Sequence, residues 1–509
     1  MQERYNNRIR ARSDKRLAQL FTSRASKVWF NRYKSSPSRI AIVSKSEMAS
    51  SEATHAEYGS WESPITAKFI TSSTTSLASV KVSPTSGAIY WLEGRPQEKG
   101  RYVVVRMESD GTSVKDMVGK DVNVRTRVHE YGGGAWMLGP QGDNDIIYSD
   151  YVSQRLFRTS DASTEPKCLT PPAKDEPHSG RYRYADGCLI PGGTEAVFIR
   201  EDHGIDGCAN PKDVINEVVS VALDGSGKTK VLASGRDFYL SPRVSKDGKW
   251  LAYVCYDHPS MPWDTTELRV RPLTDDSIDE MKTTSHLLVD GGDGDTSIMQ
   301  PAWHPSSNAL YYISDSTGFY TIRRLPPDAL NSNVRPGDEV LCQDGADFGG
   351  KSPGWMLGQQ GYVFLNSGGI AAHVPDRVTG TTILVVCDEP SSAITSLDAE
   401  SIKAHFLATK RTYGEKEGLP NSFGSIELSP DEKTMYMLGG ASDTPSSIYE
   451  WSLLGGHAEQ KNSLKVLKCS TNADIKALSG YISIADPIEY ESTLGVAYGM
   501  TFDYHHLTL

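Results

Sequence analysis

The chain has 509 residues, a formal net charge of −11, 38% hydrophobic and 23% charged residues. That length calls for several domains or one large repetitive one. The acidic balance argues against nucleic acid as a partner, and the purest apolar run, Ile383 to Cys387, falls far short of the roughly 20 residues of a spanning helix.

The first segment stands apart. Residues 1–46 carry twelve Lys/Arg against Glu3 and Asp14, a local +10 that leaves −21 on the rest. Leu17, Leu20, Phe21 and Val28 fall near helical spacing among Arg and Ser, as in organelle transit peptides. A disordered basic tail, or translation starting at Met48, are the other readings, so residues 1–57 are taken as a basic N-terminal segment outside the fold.

From residue 58 a repeat sets in: a small or Pro residue, polar residues, a Gly or Asn turn, then an aromatic-rich strand. Ser83-Pro84 leads to Ile89-Tyr90-Trp91, Gly134-Ala135-Trp136 to Ile146-Ile147-Tyr148, and Gly192-Gly193 into Ala196 to Ile199. Leu240-Ser241-Pro242 and Asp247-Gly248-Lys249 precede Leu251 to Val254, and Gln300 to Trp303 precede Leu310 to Ile313. Ser352-Pro353-Gly354-Trp355 precedes Gly361 to Leu365, and Leu428 to Asp431 precedes Met435 to Leu438.

With Tyr90, Tyr148, Phe198, Tyr253, Tyr311, Tyr362 and Tyr436 as markers, the steps are 58, 50, 55, 58, 51 and 74 residues. Each step holds four short strands with turns, which is a propeller blade. Later strands are expected at Arg155 to Arg158, Val218 to Val221, Glu267 to Val270, Tyr320 to Arg323 and Ile448 to Trp451. The fold class predicted is all-β, a seven-bladed β-propeller over residues 58–480. The long last step leaves room for an insertion or an eighth blade. Helical periodicity is absent after residue 50, so an α/β-hydrolase domain is not expected within the chain.

Seven cysteines, at 168, 188, 208, 255, 342, 387 and 469, form no CxxC pair, and no Asn-x-Ser/Thr acceptor occurs. A reducing, cytoplasmic compartment fits this usage, with an organelle as the alternative through the basic N-terminus. No metal and no cofactor are expected.

The segments YGSWESPITA (Tyr58 to Ala67), IYWLEGRPQEKGR (Ile89 to Arg101) and VRTRVHEYGGGAW (Val124 to Trp136) resemble the start of peptidases of the prolyl oligopeptidase family. The dipeptidyl-peptidase and acylaminoacyl-peptidase type is the nearest group. IREDH (Ile199 to His203), GGDGDTSIMQPAWHP (Gly291 to Pro305), DSTGFYTIRRL (Asp315 to Leu325) and ISIADPIEY (Ile482 to Tyr490) continue the resemblance. It implies a serine peptidase whose propeller, as lid and substrate filter, covers a hydrolase domain with a Ser-Asp-His triad and admits short peptides. On that reading residues 481–509 are the start of the hydrolase domain, the chain stops before the triad, and it is expected to be inactive as it stands. A stand-alone propeller serving as a protein-interaction scaffold is the alternative, with a protein partner or a second copy of the chain to bind.

Candidate chemistry is sparse. Gly350-Lys351-Ser352-Pro353-Gly354 matches G-x-S-x-G formally, but Pro353 lacks the N–H an oxyanion hole needs and a strand follows, not a helix. No catalytic residue is therefore expected. His129-Glu130-Tyr131 ahead of Gly132-Gly133-Gly134, and Glu201-Asp202 with His203, are the candidate substrate contacts; the resemblance implies that Glu201 and Asp202 hold a peptide amino terminus, as propeller carboxylates do in related peptidases. Their alternatives are a strand lead-in and a solvated loop. Asp290, Asp293 and Asp295 lack the spacing of a calcium loop, and His505-His506 read as tail residues.

Overall fold

The computed structural model describes residues 57, 60, 63–72, 74–111, 113–160, 162, 164–172, 180–205, 207, 209–273, 283, 286–331, 339–340, 347–349, 354–365, 369–375, 382–387, 420, 422–452, 464–483, 485–493 and 495–502. The described chain is all-β. Beyond one short helix, Ala67–Ser72, and single 3-10 turns, it consists of strands.

Six sheets have four strands each, and every one is a simple antiparallel meander. In chain order they span residues 76–116, 136–168, 182–234, 238–291, 298–340 and 422–469. A three-stranded sheet over 362–387 follows the fifth, and a two-stranded hairpin, Ala485–Ser492 with Gly495–Phe502, comes last. Counting in chain order, the three-stranded sheet is the sixth and that over 422–469 the seventh.

The marker residues Tyr90, Tyr148, Phe198, Tyr253, Tyr311 and Tyr436 all sit on second strands and are buried. These strands lie between two partners and pack on both faces, which suits runs such as Trp250–Tyr256. Tyr362 breaks the pattern. It lies on the first strand of the sixth sheet, Tyr362–Phe364, and the second strand is Ile370–Pro375. Ala371 and Ala372 replace the aromatic there, so the repeat is out of phase at this copy, and the 74-residue step is partly this phase error. Where seven four-stranded blades are expected, the described residues form six four-stranded blades, with a three-stranded sheet beside them. The space allotted to an insertion or an eighth blade falls on residues 388–419, outside the described residues.

Turn chemistry explains why second strands start where they do. In the fourth sheet Ser245 Oγ donates to Asp247 Oδ1 (2.6 Å) and accepts from Trp250 N (2.9 Å). In the seventh, Ser429 Oγ donates to Asp431 Oδ1 (2.7 Å) and accepts from Thr434 N (3.0 Å). A Ser and an Asp two residues on thus tie the reversal through side chain–backbone bonds.

First strands share a second device. Ser79, Asp186, Ser241, Gln300 and Ser425 have φ between 50° and 55°, each at a register shift in its sheet. Three of these bulge side chains reach the next sheet. Asp186 accepts Ser241 N (3.1 Å) and the Arg243 guanidinium (2.9 Å). Gln300 Oε1 accepts Gly361 N (2.5 Å), and Ser425 Oγ accepts Val80 N (3.1 Å).

The last of these bonds joins the seventh sheet to the first. Lys81–Glu427 (2.7 Å) and a bridge between Thr74 and Thr471 support it, and Tyr436 and Ile448 pack into the core of the first sheet. The ring closes by side-chain packing and these few bonds, each sheet drawing its strands from one stretch of chain.

Candidate functional site

Because each complete sheet runs out and back twice, its first strand begins at the face of the ring where its fourth strand ends. The Thr75 N–H to Ser470 O bond (2.7 Å) lies on that face. So do the residues leading into the first strands of the second and sixth sheets, His129 to Gly134 and Gly354 to Gly361, and the 263 turn between the second and third strands of the fourth sheet.

His129 (φ 54°), Glu130 (φ 61°), Gly132, Gly133 and Gly134 all adopt left-handed backbone. Glycine tolerates this and other residues resist it, so something must hold His129 and Glu130. The His129 N–H donates to Glu201 Oε1 (2.8 Å), its Nε2 meets Asn216 Oδ1 (3.2 Å), and its ring stands edge-on to Phe238 at 5.2 Å. Glu130 takes a charge-assisted bond from Arg183 Nη1 (2.6 Å) while its side chain stays 72% exposed. Tyr131, 62% exposed, stacks on Trp355 at 5.2 Å and 15°, and Trp355 meets Trp263 edge-on at 5.1 Å.

Glu201 ends the buried second strand of the third sheet, Glu195–Asp202, and is 4% exposed. Its Oε2 pairs with His203 Nε2 (2.9 Å), and Arg183 Nη1 lies 3.9 Å away. Burial alone would raise its carboxyl pKa, but hydrogen bonds from His203 and from the His129 N–H favour the ionised form, and the pKa is lowered. Burial has the opposite consequence for the His129 imidazole, whose pKa is lowered so that it stays neutral at pH 7. Asp202 is held by the fork of Arg181 (3.0 and 3.1 Å) and accepts Gly204 N (2.9 Å).

The structure therefore brings four of the five candidate contacts together. His129, Glu130 and Tyr131 form one turn braced from beneath by Glu201, and Asp202 belongs to a separate pair. Glu201 is a strut whose oxygens are engaged within the chain. Glu130 and Tyr131 present a carboxylate and an aromatic face to solvent, an arrangement suited to an ammonium group beside an apolar side chain. Asp293 is consumed by its own loop: it accepts Asp295 N (3.0 Å), Thr296 N (2.9 Å) and Thr296 Oγ1 (2.7 Å). No group of three or more metal-ligating side chains occurs among the described residues. Ser352 and His505-His506 lie outside the described residues, as do residues 1–56.

Sequence reading missed Trp355, Trp263, Arg183 and Asn216. Trp355 entered only as a repeat marker, and its partners come from the second and fourth sheets, more than ninety residues away in the chain. Arg183 sits one strand-pair from Glu201, facing it across the register of the third sheet.

No family model matches the chain, and no curated protein sequence does. Among solved structures it is similar to a puromycin-hydrolysing peptidase of Mycobacterium tuberculosis, with a TM-score of 0.68, 25% identity, 88% of this chain and 62% of that one covered. A puromycin hydrolase aligns with the same TM-score and coverage at 23% identity. Prolyl oligopeptidase B of Galerina marginata shares the fold at a TM-score of 0.53 and 11% identity, with 85% and 55% covered. The chain thus spans less than two thirds of the length of these structures. Its likeness to the prolyl oligopeptidase family, read first in the motifs from Tyr58 to Tyr490, is a likeness of fold as well, and the portion it matches is the β-propeller.

Proposed function

We propose that this chain is the lid and substrate-filter propeller of a prolyl oligopeptidase-like serine peptidase of the dipeptidyl- or acylaminoacyl-peptidase type, working in peptide hydrolysis on short peptides. The observation that carries the reading is the match of 88% of the chain to a puromycin-hydrolysing peptidase at a TM-score of 0.68. The three-stranded sheet counts as a seventh blade on this view. It joins the fifth through Gln300–Gly361 and packs on the seventh through Ala371 against Phe423 and Met435. The propeller then covers residues 58–480, the hairpin from Ala485 belongs to the catalytic portion, and residues 1–57 lie outside both. Glu130 and Tyr131 are the substrate contacts, with His129 and Glu201 positioning them; the compartment is cytoplasmic, consistent with the scattered cysteines.

The test uses a serine-directed fluorophosphonate probe with aminoacyl and dipeptidyl chromogenic substrates. The 509-residue chain is expected to be silent. Fusing a family hydrolase domain after Phe502, which keeps the hairpin whole, is expected to restore labelling and hydrolysis. Stoichiometric labelling of the chain alone, lost in Ser352→Ala, would overturn the reading.

A further inference from the structure

Two first strands are short. Those of the second and sixth sheets, Trp136–Leu138 and Tyr362–Phe364, have three residues each, whereas the other five have six to eight. The residues that would extend them toward the face where the fourth strands end leave their own sheets and meet each other. The Leu357 N–H donates to Gly132 O (3.0 Å), and Gly133 and Leu357 form a parallel bridge. These two sheets are not neighbours in the ring: the third, fourth and fifth separate them on one side, the seventh and first on the other. The crossing therefore spans the opening that the first strands surround.

The fit is tight at backbone level. A β-carbon on Gly358 would lie 2.7 Å from Gly134 Cα, and one on Gly133 2.7 Å from Leu357 N. Both positions also have positive φ, 94° at Gly133 and 72° at Gly358, so glycine is required twice over. Leu357 is buried against Val128, Leu240 and Val254, and the Tyr131–Trp355 stack caps the crossing from outside. A cavity of about 20 Å3, room for one or two waters, lies between Leu357 and Leu240, Ser241, Met299 and Gln300.

We propose that residues 131–134 and 355–358 form a strap across the ring that closes its central opening at this face, so that peptides do not reach the face through the propeller axis while the strap is in place. The latch is the Leu357–Gly132 bond with the Tyr131–Trp355 stack. The inference rests on the ring geometry alone and holds whether or not a catalytic portion covers the face.

The experiment places a reporter in the cavity beside Leu357 of the strap. Met299→Cys, which lines the cavity, is labelled with a small maleimide in the full chain and the modified peptide is quantified by mass spectrometry. Labelling is expected to be slow with the strap intact. It should rise about tenfold in Met299→Cys/Trp355→Ala, equivalent to about 1.4 kcal/mol of opening free energy. Gly358→Val should raise it further. Because that variant can also loosen the ring, hydrogen exchange is read beside it: loss of protection confined to the Leu357 amide supports the strap, and loss throughout the first strands of the third and fourth sheets overturns it. Fast labelling of Met299→Cys with the strap unaltered, or a rate unmoved by Trp355→Ala, also overturns the proposal.

Discussion

Removing the Asp186 carboxylate tests how the bulges of the first strands hold the ring. Asp186 is buried, has φ 53°, and bonds the next sheet at two points, Ser241 N and the Arg243 guanidinium. Arg243 gives another bond to Pro242 O (2.8 Å); burial acts to lower its pKa, and Asp186 is the chief group that raises it. Asp186→Ala leaves the half-buried Arg243 cation with Pro242 O but without its carboxylate, a loss of at most about 3–5 kcal/mol. The orphaned Ser241 amide and an alanine held in the left-handed region push the value to the upper end of that range. Asp186→Asn keeps an acceptor for Ser241 N and tolerates the backbone, so only the charge is lost, about 1.5–3 kcal/mol. Asp186→Ala/Arg243→Leu removes both partners and should recover much of the single-variant loss. Denaturant titration followed by tryptophan fluorescence and by circular dichroism gives the ordering, with coincident transitions as the condition for comparing free energies. An Asp186→Ala variant within 1 kcal/mol of the parent, or an Asp186→Asn variant as damaged as the alanine, would refute the argument.

Acid should destabilise the ring in two stages. The unfolded chain takes up a proton on His129 below about pH 6.5 that the folded site resists, so stability falls as pH drops, and Asn at 129, suited to positive φ, removes that component of the pH–Tm curve. Glu201, with its folded pKa lowered, contributes stability that is fully present above its unfolded pKa near 4.3 and is lost as pH falls through the lower folded value; Glu201→Gln flattens that acid limb. Lys81→Ala should cost at most about 1 kcal/mol, because Lys81–Glu427 is partly solvated. Burial pushes the Cys255 thiol up to about 12, so its alkylation by iodoacetamide at pH 8 should wait on denaturant.

What the sequence made legible was whatever repeats locally. Turn residues and aromatic second strands lie close together in the chain, and they located the six four-stranded sheets. The exception has a physical cause. In the sixth sheet, alanines occupy the second-strand positions that carry aromatics elsewhere, so the marker was displaced onto the first strand at Tyr362. The bulges were not legible: Ser79, Asp186, Ser241, Gln300 and Ser425 are followed by Val, Gly, Pro, Pro and Ile, with no shared signal. At Asp186, Gln300 and Ser425 the positive φ goes with a side-chain bond to the next sheet, and no residue type announces that. Polar character drew attention to Glu201 and Asp202, yet the same character serves burial when partners are near: the His129 N–H, His203 and Arg183 all converge on Glu201.

The candidate site extends the same reasoning. From sequence, the segment ending in the three glycines at 132–134 reads as a substrate contact or a strand lead-in, and neither reading names a group that approaches its backbone. In the structure Leu357 of this chain approaches Gly132 and Gly133. Such an approach cannot be read from either segment alone, because the sixth and second sheets meet only once the ring has closed. The closure also fixes what the site can offer. With Gly132 O engaged by Leu357 and Glu201 engaged by His129 and His203, the Tyr131 ring and the outer oxygen of Glu130 face solvent among the described candidate contacts. A ligand on this face is therefore met by an aromatic surface and one carboxylate already half-neutralised by Arg183. Tyr131→Ala should accordingly weaken peptide capture more than Glu130→Gln does, since a shared carboxylate has less charge to give than an exposed ring has area. Isothermal titration of a family-hydrolase fusion with short peptides of matched length, bearing apolar or charged second residues, measures the difference. The reverse ordering would mean that the carboxylate, not the ring, reads the ligand.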